Sequence, residues 1–462
     1  MRAVGVMLGV AAALGGAGPA EAGPKLLGAN VHQSLDVGHD ATKAAGLGWV
    51  RIDLNWIDCE PSQGQYDFAL LDGVVDAAKA RGLSVLAVVG YGPAWASSGD
   101  TMGDGPMDDV PVEGAYPAFV TAVVQHFQDR VTHYELWNEP NLEQFFDGTP
   151  DDSTSRILVP GAQAVHNACP NCKVVAPGLA TVGMDYDTWM DAAMSAAKDQ
   201  IDIVSGHIYA GFPVDSPGSG STSDSFFNKL ESHRVLETGG TVVFEGPLSF
   251  REVMDKHGVT APFWITETGK EATLGDAAEE DAQALYYRRA IEAMLARPWV
   301  ENTIFYESFD EPASGYEWGI VVHDPAKPEG YQGKKVLEYL KGVTATVPGL
   351  GGSGNQCNDG VDDDGDGLTD YPEDPDCTSV LDPDESGPLG MGGSGGGGGA
   401  GGAAGGEGGA TSSGGGAAGG GQSGCQCAWA GEGSSPEEDG SGMLVVVAAL
   451  ALGAIRRSRS PS

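Results

Sequence analysis

Basic residues are scarce in this chain, and one long stretch has none. The 462 residues include 25 lysines and arginines against 65 aspartates and glutamates, which gives a formal net charge of −40 at pH 7. Neither basic residue occurs between Lys341 and Arg456. An acidic surface repels phosphate backbones and anionic lipids, so this balance argues against nucleic-acid binding. The simplest role of the excess negative charge is to keep the protein soluble.

The chain also lacks the glycine-rich turn of a dinucleotide-binding sheet. Gly28-Ala29-Asn30 follows the start of the first predicted strand but does not continue as G-x-G-x-x-G. Short β-branched runs predict strands at residues 27–31, 49–54, 84–89, 131–136, 173–176, 201–207, 263–266 and 303–307. Helical patterns follow most of them, at residues 68–80, 118–128, 155–168, 189–197 and 278–296. Eight alternating strands favour an α/β fold, a (β/α)₈ TIM barrel over residues 23–345, with a doubly wound open sheet as the competitor.

No apolar run is long enough to span a membrane as a helix. Residues 443–455 form a run of 13 before Arg456, whereas a spanning helix needs about 20. We interpret residues 425–462 as a sorting or anchor tail, and a weak permanent anchor stays open. At the other end, Arg2, an apolar segment and Ala20-Glu21-Ala22 predict a signal peptide over residues 1–22. We therefore expect an exported protein, at the cell surface or outer membrane or extracellular.

Cysteines are few, with seven in the whole chain. Cys169 and Cys172 lie in a Cys-x-x-Cys without a thioredoxin-like context, which favours a local disulfide or inert thiols over redox catalysis. Cys357 and Cys377 bracket an acidic loop and are expected to pair. The sequence assigns no role to Cys59.

A short acidic module follows the predicted barrel at residues 355–378. Its spacing satisfies D-x-D-x-D-G-x5-E, the oxygen-ligand pattern of a calcium loop, at Asp362, Asp364, Asp366, Asp370 and Glu373. The helices of an EF-hand are missing, and Pro372 interrupts the end of the motif. We expect a structural calcium ion here, with a solvated acidic spacer as the alternative. Residues 386–424 are Gly-rich and predict a disordered linker.

Two glutamates carry the strongest chemical signal. Glu139 lies in Trp-Asn-Glu-Pro-Asn after the fourth predicted strand, and Glu267 lies in Trp-Ile-Thr-Glu-Thr-Gly at the end of the seventh. Chemistry in a TIM barrel sits at the carboxyl ends of the strands. Retaining glycoside hydrolysis needs two carboxylates there, one to protonate the leaving oxygen and one to attack the sugar.

Nearby residues suit supporting roles. Asn138 can bond a sugar 2-hydroxyl, and Arg51 can keep Glu267 ionised or instead pair with Asp53. His207 is a catalytic-site residue or a satisfied core histidine, and the Tyr209 hydroxyl can orient the nucleophile. Aromatic residues near strand ends, among them Trp95 and Trp318, are candidates for stacking on sugars, although each alone is more often a packing residue.

These motifs resemble the clan-A retaining glycoside hydrolases of the cellulase and β-xylosidase type. The matching stretches are residues 49–56, 60–61, 64–68, 92–95, 137–141, 207–209, 264–269 and 318–319. The resemblance covers roughly residues 26–343. It implies Glu139 as acid/base and Glu267 as nucleophile, supported by Arg51, Asn138, His207 and Tyr209.

The resemblance also carries expectations about substrate and location. It implies a β-linked polysaccharide or oligosaccharide as substrate, no cofactor for catalysis, and a monomer. Many relatives place a tryptophan at the end of strand eight, where this chain has Tyr306; either Tyr306 or Trp318 is expected to take its part. The acidic module and tail resemble those of myxobacterial surface proteins, which implies surface or membrane attachment.

Two other function classes stay open at this point. A barrel of this kind can bind carbohydrate without turnover, and a structural adhesin would depend on the acidic module instead. The presence of both glutamates favours the enzyme. The sequence does not identify the sugar, the linkage, or endo or exo action.

Overall fold

The computed structural model describes residues 25–350, except 35, 100–102, 104, 183–184, 213–224, 233–234, 239–240, 245, 312–314 and 348–349. For residues 235–238 and 241–244 it describes the backbone alone. The predicted signal peptide, acidic module with its calcium ligands and Cys357–Cys377 pair, Gly-rich linker and C-terminal tail all lie outside the described residues. No helix among the described residues has the length and apolar character of a membrane span.

The strands form one large parallel sheet, a small three-stranded sheet and a hairpin. In chain order they are β1 (Leu26–Asn30), β2 (Trp49–Asn55), β3 (Ser84–Gly90), β4 (His133–Leu136), β5 (Lys173–Val175), β6 (Leu179–Ala180), β7 (Val204–His207), β8 (Val235–Thr238), β9 (Thr241–Phe244), β10 (Phe263–Thr268), β11 (Val300–Phe305), β12 (Phe309–Asp310), β13 (Val321–His323) and β14 (Tyr331–Gly333). The hairpin is β8–β9, and the small sheet is β12–β13–β14.

The helices alternate with the strands of the large sheet. They are α1 (Val37–Ala44), α2 (Trp56–Cys59), α3 (Ala69–Ala80), α4 (Ala115–Phe127), α5 (Pro150–Asp152), α6 (Val159–Ala168), α7 (Tyr186–Ala197), α8 (Phe226–Leu230), α9 (Phe250–His257), α10 (Ala277–Leu295) and α11 (Lys335–Thr346). Side chains cap several of them. Ser249 and Glu252 form a capping box at the start of α9, which ends at Gly258 in the left-handed conformation.

The large sheet has nine parallel strands in the order β5-β4-β3-β2-β1-β11-β10-β7-β6. A parallel bridge between Val175 and Ile203 links the β5 edge back to the residue before β7, so the sheet curls into a TIM barrel. The predicted (β/α)₈ fold is confirmed, and the open doubly wound sheet is not the architecture. The fifth barrel strand is divided into β5 and β6, a break that the sequence did not predict.

Side chains fill the barrel in layers. An apolar layer contains Leu86, Val175, Ile203, Trp264 and Ile304. Alternation along a strand places the next inward residue two positions later, which is Ser205 on β7 and Thr266 on β10. The interior therefore becomes polar toward the carboxyl ends of the strands, where the two glutamates lie.

The cysteines of the described region have no contact that points to redox chemistry. Cys169 and Cys172 form a disulfide, one of the two expected states. Cys59 is a free and buried thiol, and burial raises its pKa to about 12. A thiol of this kind stays protonated and unreactive at neutral pH.

Candidate active site

Glu139 lies just beyond β4 on a turn that buried contacts hold in place. Trp137 and Glu139 have φ angles of 83° and 42°, a left-handed conformation that is uncommon for residues with a side chain. The indole of Trp137 donates to the Phe145 carbonyl at 2.7 Å. The backbone N–H of Glu139 donates to the Gly178 carbonyl at 2.9 Å. These bonds fix the carboxyl group at the mouth of the barrel.

Glu267 lies near the carboxyl end of β10, and each of its oxygens has a donor. Arg51 Nη1 donates to Oε1 at 2.6 Å, and the Tyr209 hydroxyl donates to Oε2 at 2.7 Å. Charge-assisted hydrogen bonds of this kind fix the direction of a carboxylate. Both oxygens of Glu267 are therefore held in place by donors.

The two carboxyl groups face each other across the barrel mouth. Ligand-type atoms of Glu139, His207 and Glu267, one from each, all lie within 4.8 Å of one another. Carboxyl groups of retaining glycosidases are about 5–5.5 Å apart, and those of inverting enzymes about 6.5–9.5 Å apart. The 4.8 Å bound joins one oxygen of each carboxyl group, and this spacing is shorter than the inverting range.

Arg51 connects the site to the barrel beneath it. Besides Glu267, its Nε donates to Glu135 Oε2 at 2.6 Å and its Nη2 to Asn138 Oδ1 at 2.7 Å. Glu135 is fully buried inside the barrel. Of the two partners left open for Arg51, the structure has Glu267, since Asp53 bonds to a histidine instead.

His207 contacts the carboxyl group of Glu139. Its Nδ1 lies 2.7 Å from Glu139 Oε1, and the proton between them belongs to either group according to the tautomer. Burial lowers the pKa of His207 to about 4, so the imidazole is neutral at pH 7. Its Nε2 has no hydrogen-bond partner in the described part of the chain. His207 is thus bound to Glu139 rather than being a satisfied core residue.

The pKa of Glu139 is raised to about 8. Burial is the main cause; Arg51 opposes it, and the charge of Glu135 adds to it. At neutral pH the Glu139 carboxyl is therefore protonated, whereas Glu267 is held by two donors. The two environments are different in the way that an acid and a nucleophile require.

Comparisons with known proteins agree with this architecture. Residues 31–99 match the beta-galactosidase family model of glycosyl hydrolase family 42. A monomeric beta-xylosidase from Caulobacter crescentus CB15 is similar in structure, with a TM-score of 0.51 and 18% identity over 71% of this chain and 69% of that one. The fold is that of a TIM-barrel glycosidase.

Two further solved structures are similar at lower TM-scores. A family 39 glycoside hydrolase from Bacteroides cellulosilyticus WH2 has a TM-score of 0.47 and 18% identity, over 69% of this chain and 63% of that one. An exo-beta-1,4-mannosidase from Opitutaceae bacterium strain TAV5 has a TM-score of 0.47 and 20% identity, over 69% and 58%. The chain thus spans less than two thirds of the length of these two proteins.

Three aromatic rings line the mouth beside Glu267. Tyr209 lies edge-on to Trp318 at 5.4 Å and to Tyr306 at 6.3 Å between ring centroids. Tyr306 and Trp318 are also edge-on to each other at 6.3 Å. Both candidates for the missing strand-eight tryptophan therefore lie together next to Tyr209, which bonds Glu267.

Trp95 has contacts that belong to loop packing. Its ring lies edge-on to Trp56 at 5.7 Å, and its indole N–H donates to the Glu60 carbonyl at 2.9 Å. It is half-buried in the loop after β3. Its predicted role in sugar binding stays a prediction without support from these contacts.

Several polar residues of the site were not predicted. They are Asn30, His32, Asp53, Glu135 and Glu307, all with side chains at or inside the barrel mouth. One feature of the sequence could have identified Glu135. It is a charged residue in the middle of a buried parallel strand, and such a residue needs a buried partner. His32 and Glu307 are 275 residues apart in sequence, and their contact leaves no local pattern.

Among the described residues, Glu139, His207 and Glu267 are also the group whose ligand atoms could hold a metal ion. Both oxygens of Glu267 already accept hydrogen bonds, and the adjacent guanidinium of Arg51 disfavours a second cation. The donor set suits a transient positive charge on a sugar better than a resident metal.

Proposed function

We propose that the chain is a retaining glycoside hydrolase that cleaves O-glycosidic bonds in a β-linked polysaccharide or oligosaccharide. Glu139 is the acid/base in this proposal, and Glu267 is the nucleophile. One observation supports it above all others. One oxygen of Glu139 lies within 4.8 Å of one oxygen of Glu267, the pKa of Glu139 is raised to about 8, and Glu267 accepts hydrogen bonds from Arg51 and Tyr209.

The reaction has two steps. Glu139 gives its proton to the glycosidic oxygen while a carboxylate oxygen of Glu267 attacks the anomeric carbon, so the aglycone leaves as an alcohol and a glycosyl-enzyme forms. Glu139, now a carboxylate, takes a proton from water, whose oxygen attacks the same carbon. The sugar leaves with its original anomeric configuration, and Glu267 is restored.

Asn138 is placed to contact the sugar during these steps. Its side-chain oxygen accepts from Arg51, and its amide nitrogen has no hydrogen-bond partner within the described residues. That N–H₂ group can donate to the 2-hydroxyl of the bound sugar, a contact that strengthens in the transition state.

The proposal is tested by product stereochemistry. The purified protein is assayed on aryl β-xylosides, β-glucosides, β-galactosides and β-mannosides and on xylan, cellulose and β-1,3-glucan, and the first-formed anomer is followed by proton NMR. A β-anomer is expected. An α-anomer would contradict the nucleophilic role of Glu267, and glycan binding without turnover would favour the non-catalytic carbohydrate-binding alternative.

We expect Tyr209→Phe to lower kcat/KM about 10- to 100-fold. The change removes one hydrogen bond to a charged group, which is worth about 1.5–3 kcal/mol. Tyr134→Phe is the control, because this buried hydroxyl donates to the Val131 carbonyl at the other end of the barrel. Equal activity of the two variants would show that the Tyr209 hydroxyl does not act on the nucleophile.

We expect Glu135→Gln to move the alkaline limb of the kcat/KM profile to lower pH. Burial is the main cause of the raised pKa of Glu139, and the negative charge of Glu135 is a further cause. Removing that charge should therefore lower the pKa of Glu139. Glu301→Gln is the control, since its carboxylate bonds the Trp264 indole near the amino end of the barrel. A limb that stays in place or moves to higher pH would contradict this role.

Export, surface attachment through residues 425–462 and calcium binding at residues 355–378 remain proposals from the sequence. That the protein is a monomer is likewise a proposal from the sequence. Equilibrium dialysis of the purified full chain against calcium, with and without an Asp364→Asn and Asp366→Asn pair, tests the acidic module separately from catalysis.

A further inference from the structure

Helix α10, which follows the strand of Glu267, carries two buried polar side chains that the two-step mechanism does not use. Gln283 and Tyr286 are three residues apart, so they lie on the same side of the helix. Gln283 is fully buried, and Tyr286 is 7% exposed. Polar groups at this depth need hydrogen-bond partners, and the positions of those partners show what each side chain holds in place.

The hydroxyl of Tyr286 lies at the junction of two barrel strands. Its oxygen is 2.8 Å from Thr268 Oγ1, 3.1 Å from the Ile208 carbonyl oxygen and 3.4 Å from the Ala210 carbonyl oxygen. Thr268 Oγ1 in turn lies 2.7 Å from the Ile208 carbonyl oxygen. The two hydroxyls can donate to these carbonyls and to each other. They therefore join the last residue of β10 to the segment that follows β7.

This junction carries both the nucleophile and one of its hydrogen-bond donors. The two carbonyls belong to the residues on either side of Tyr209, and Thr268 follows Glu267 directly. The Tyr209 hydroxyl donates to Glu267 Oε2 at 2.7 Å, and the Ile208 N–H donates to the Glu267 carbonyl at 3.0 Å. The Tyr286 hydroxyl therefore connects the two backbone segments whose relative position sets the contact between donor and nucleophile.

Gln283 contacts a second segment that bears on Tyr209. Its Nε2 donates to the Lys270 carbonyl at 2.9 Å and lies 3.3 Å from each of the carbonyl oxygens of Trp318 and Gly319. The ring of Trp318 lies edge-on to that of Tyr209, with 5.4 Å between the centroids. The same helix thus fixes the backbone of Tyr209 through one side chain and the backbone of its ring neighbour through the other.

The Tyr286 hydroxyl has no chemical step to perform. Burial raises its pKa, and the hydrogen bond with Thr268 opposes that rise, so the hydroxyl is neutral near pH 7. Its partners are one hydroxyl and two backbone carbonyls, none of which reacts in the proposed mechanism. Any effect of Tyr286 on turnover therefore acts through the position of other groups.

We propose that Tyr286 is a positioning residue for the nucleophile, and that its hydroxyl, together with that of Thr268, sets the contact between Tyr209 and Glu267. Gln283 supports the same arrangement through the segment of Trp318. The inference rests on the proposed glycosidase function and adds the residues that hold its attacking group. Loss of the Tyr286 hydroxyl lets the ends of β7 and β10 shift relative to each other, and a misplacement of about 1 Å can lower a rate about 100-fold.

The test measures the rate at which Glu267 attacks, counted per active site. Wild type and Tyr286→Phe are mixed with an activated aryl 2-deoxy-2-fluoro glycoside of the sugar that the wild type hydrolyses fastest. The burst of released phenol gives the number of active sites from its amplitude and the rate constant of attack from its time course. Tyr286→Phe is expected to keep the amplitude of the wild type and to lower the rate constant about 10- to 100-fold.

Tyr287→Phe is the matched control. This adjacent tyrosine is fully buried on the same helix, and its hydroxyl has no hydrogen-bond partner in the described part of the chain. Its variant is expected to attack as fast as the wild type. A purely structural role of Tyr286 would lower the burst amplitude or the melting temperature and leave the rate constant per active site unchanged, and that result overturns the proposal.

Thr268 provides variants that decide the question even if Tyr286→Phe does not fold. Thr268→Val removes the partner hydroxyl at nearly constant volume, whereas Thr268→Ser keeps it. Slow labelling is expected for Thr268→Val and near wild-type labelling for Thr268→Ser. The double variant with Tyr286→Phe should be no slower than the slower single variant, because both changes remove one shared contact. Equal rates for the valine and serine variants, or additive effects in the double variant, contradict the proposal.

Labelling of the wild type separates this inference from the function on which it rests. The labelled peptide is identified by mass spectrometry. If Glu267 is labelled in the wild type and equally fast in Tyr286→Phe, the positioning role is wrong while the hydrolase mechanism stands. If the wild type is not labelled and hydrolyses none of the glycosides, the mechanism itself is wrong and the inference falls with it.

Discussion

Glu267→Gln is expected to lower kcat on any aryl β-glycoside by on the order of 10⁴- to 10⁶-fold, the range found when a member of a covalent catalytic set is removed. The amide is a far weaker nucleophile than the carboxylate. In the wild type, Arg51 Nη1 and the Tyr209 hydroxyl each donate to one oxygen of Glu267. The N–H₂ group of glutamine cannot accept a hydrogen bond, so one of these two donors loses its acceptor. The variant thus loses both the attacking group and its orientation.

The measurement is a single-turnover and steady-state assay with an activated aryl glycoside. Glu301→Gln is the matched control, because Glu301 is also a glutamate on a barrel strand, where it accepts from the Trp264 indole at 2.7 Å. Residual activity of a few per cent in folded Glu267→Gln would show that another group attacks the anomeric carbon.

Glu139→Gln is expected to lower kcat/KM about 10²- to 10⁴-fold, the usual contribution of a general acid–base group. The loss should be larger for glycosides with poor leaving groups, since these depend on the proton from Glu139. In the smaller variant Glu139→Ala, added azide should restore turnover by attacking the glycosyl-enzyme and yield a β-glycosyl azide, because deglycosylation no longer needs a base.

The pH profile gives an independent check on the same residue. In the proposed mechanism the protonated form of Glu139 is the active one. Wild-type kcat/KM should therefore fall as the pH rises through about 8, the pKa to which burial raises this carboxyl. Glu139→Gln should lose that limb, whereas Glu143→Gln, an exposed neighbour in the same loop, should keep it. A limb that persists in Glu139→Gln would assign it to another group.

The barrel itself could be predicted because its signals are local. Each predicted strand overlaps one of the strands β1 to β5, β7, β10 and β11, since β-branched runs and the helices between them are read within a few residues. The break between β5 and β6 was missed. Gly178 lies in this break, and a Cβ there would overlap His207 Nε2 and Glu135 Oε1, which come from other strands.

The features of the site also divide into those that local sequence predicts and those that depend on contacts between distant residues. Glu139 lies three residues after the end of β4 and Glu267 is the second-last residue of β10, so topology alone brings them to one edge of the sheet. The contacts that give them different chemistry are between distant parts of the chain. Arg51 meets Glu267 across 216 residues, and His207 meets Glu139 across 68. No periodicity or spacing encodes such pairs. The Arg51–Glu267 contact was expected from the sequence only as one of two alternatives, and the closed barrel decides between them.

Arg51 has a consequence for how this protein can fail. The guanidinium of Arg51 donates hydrogen bonds to Asn30 on β1, Glu135 on β4, Asn138 in the turn after β4 and Glu267 on β10. The same side chain therefore links three barrel strands and orients Glu267. We therefore expect loss of the Arg51 side chain to disturb the position of Glu267 and the contacts among β1, β4 and β10 together.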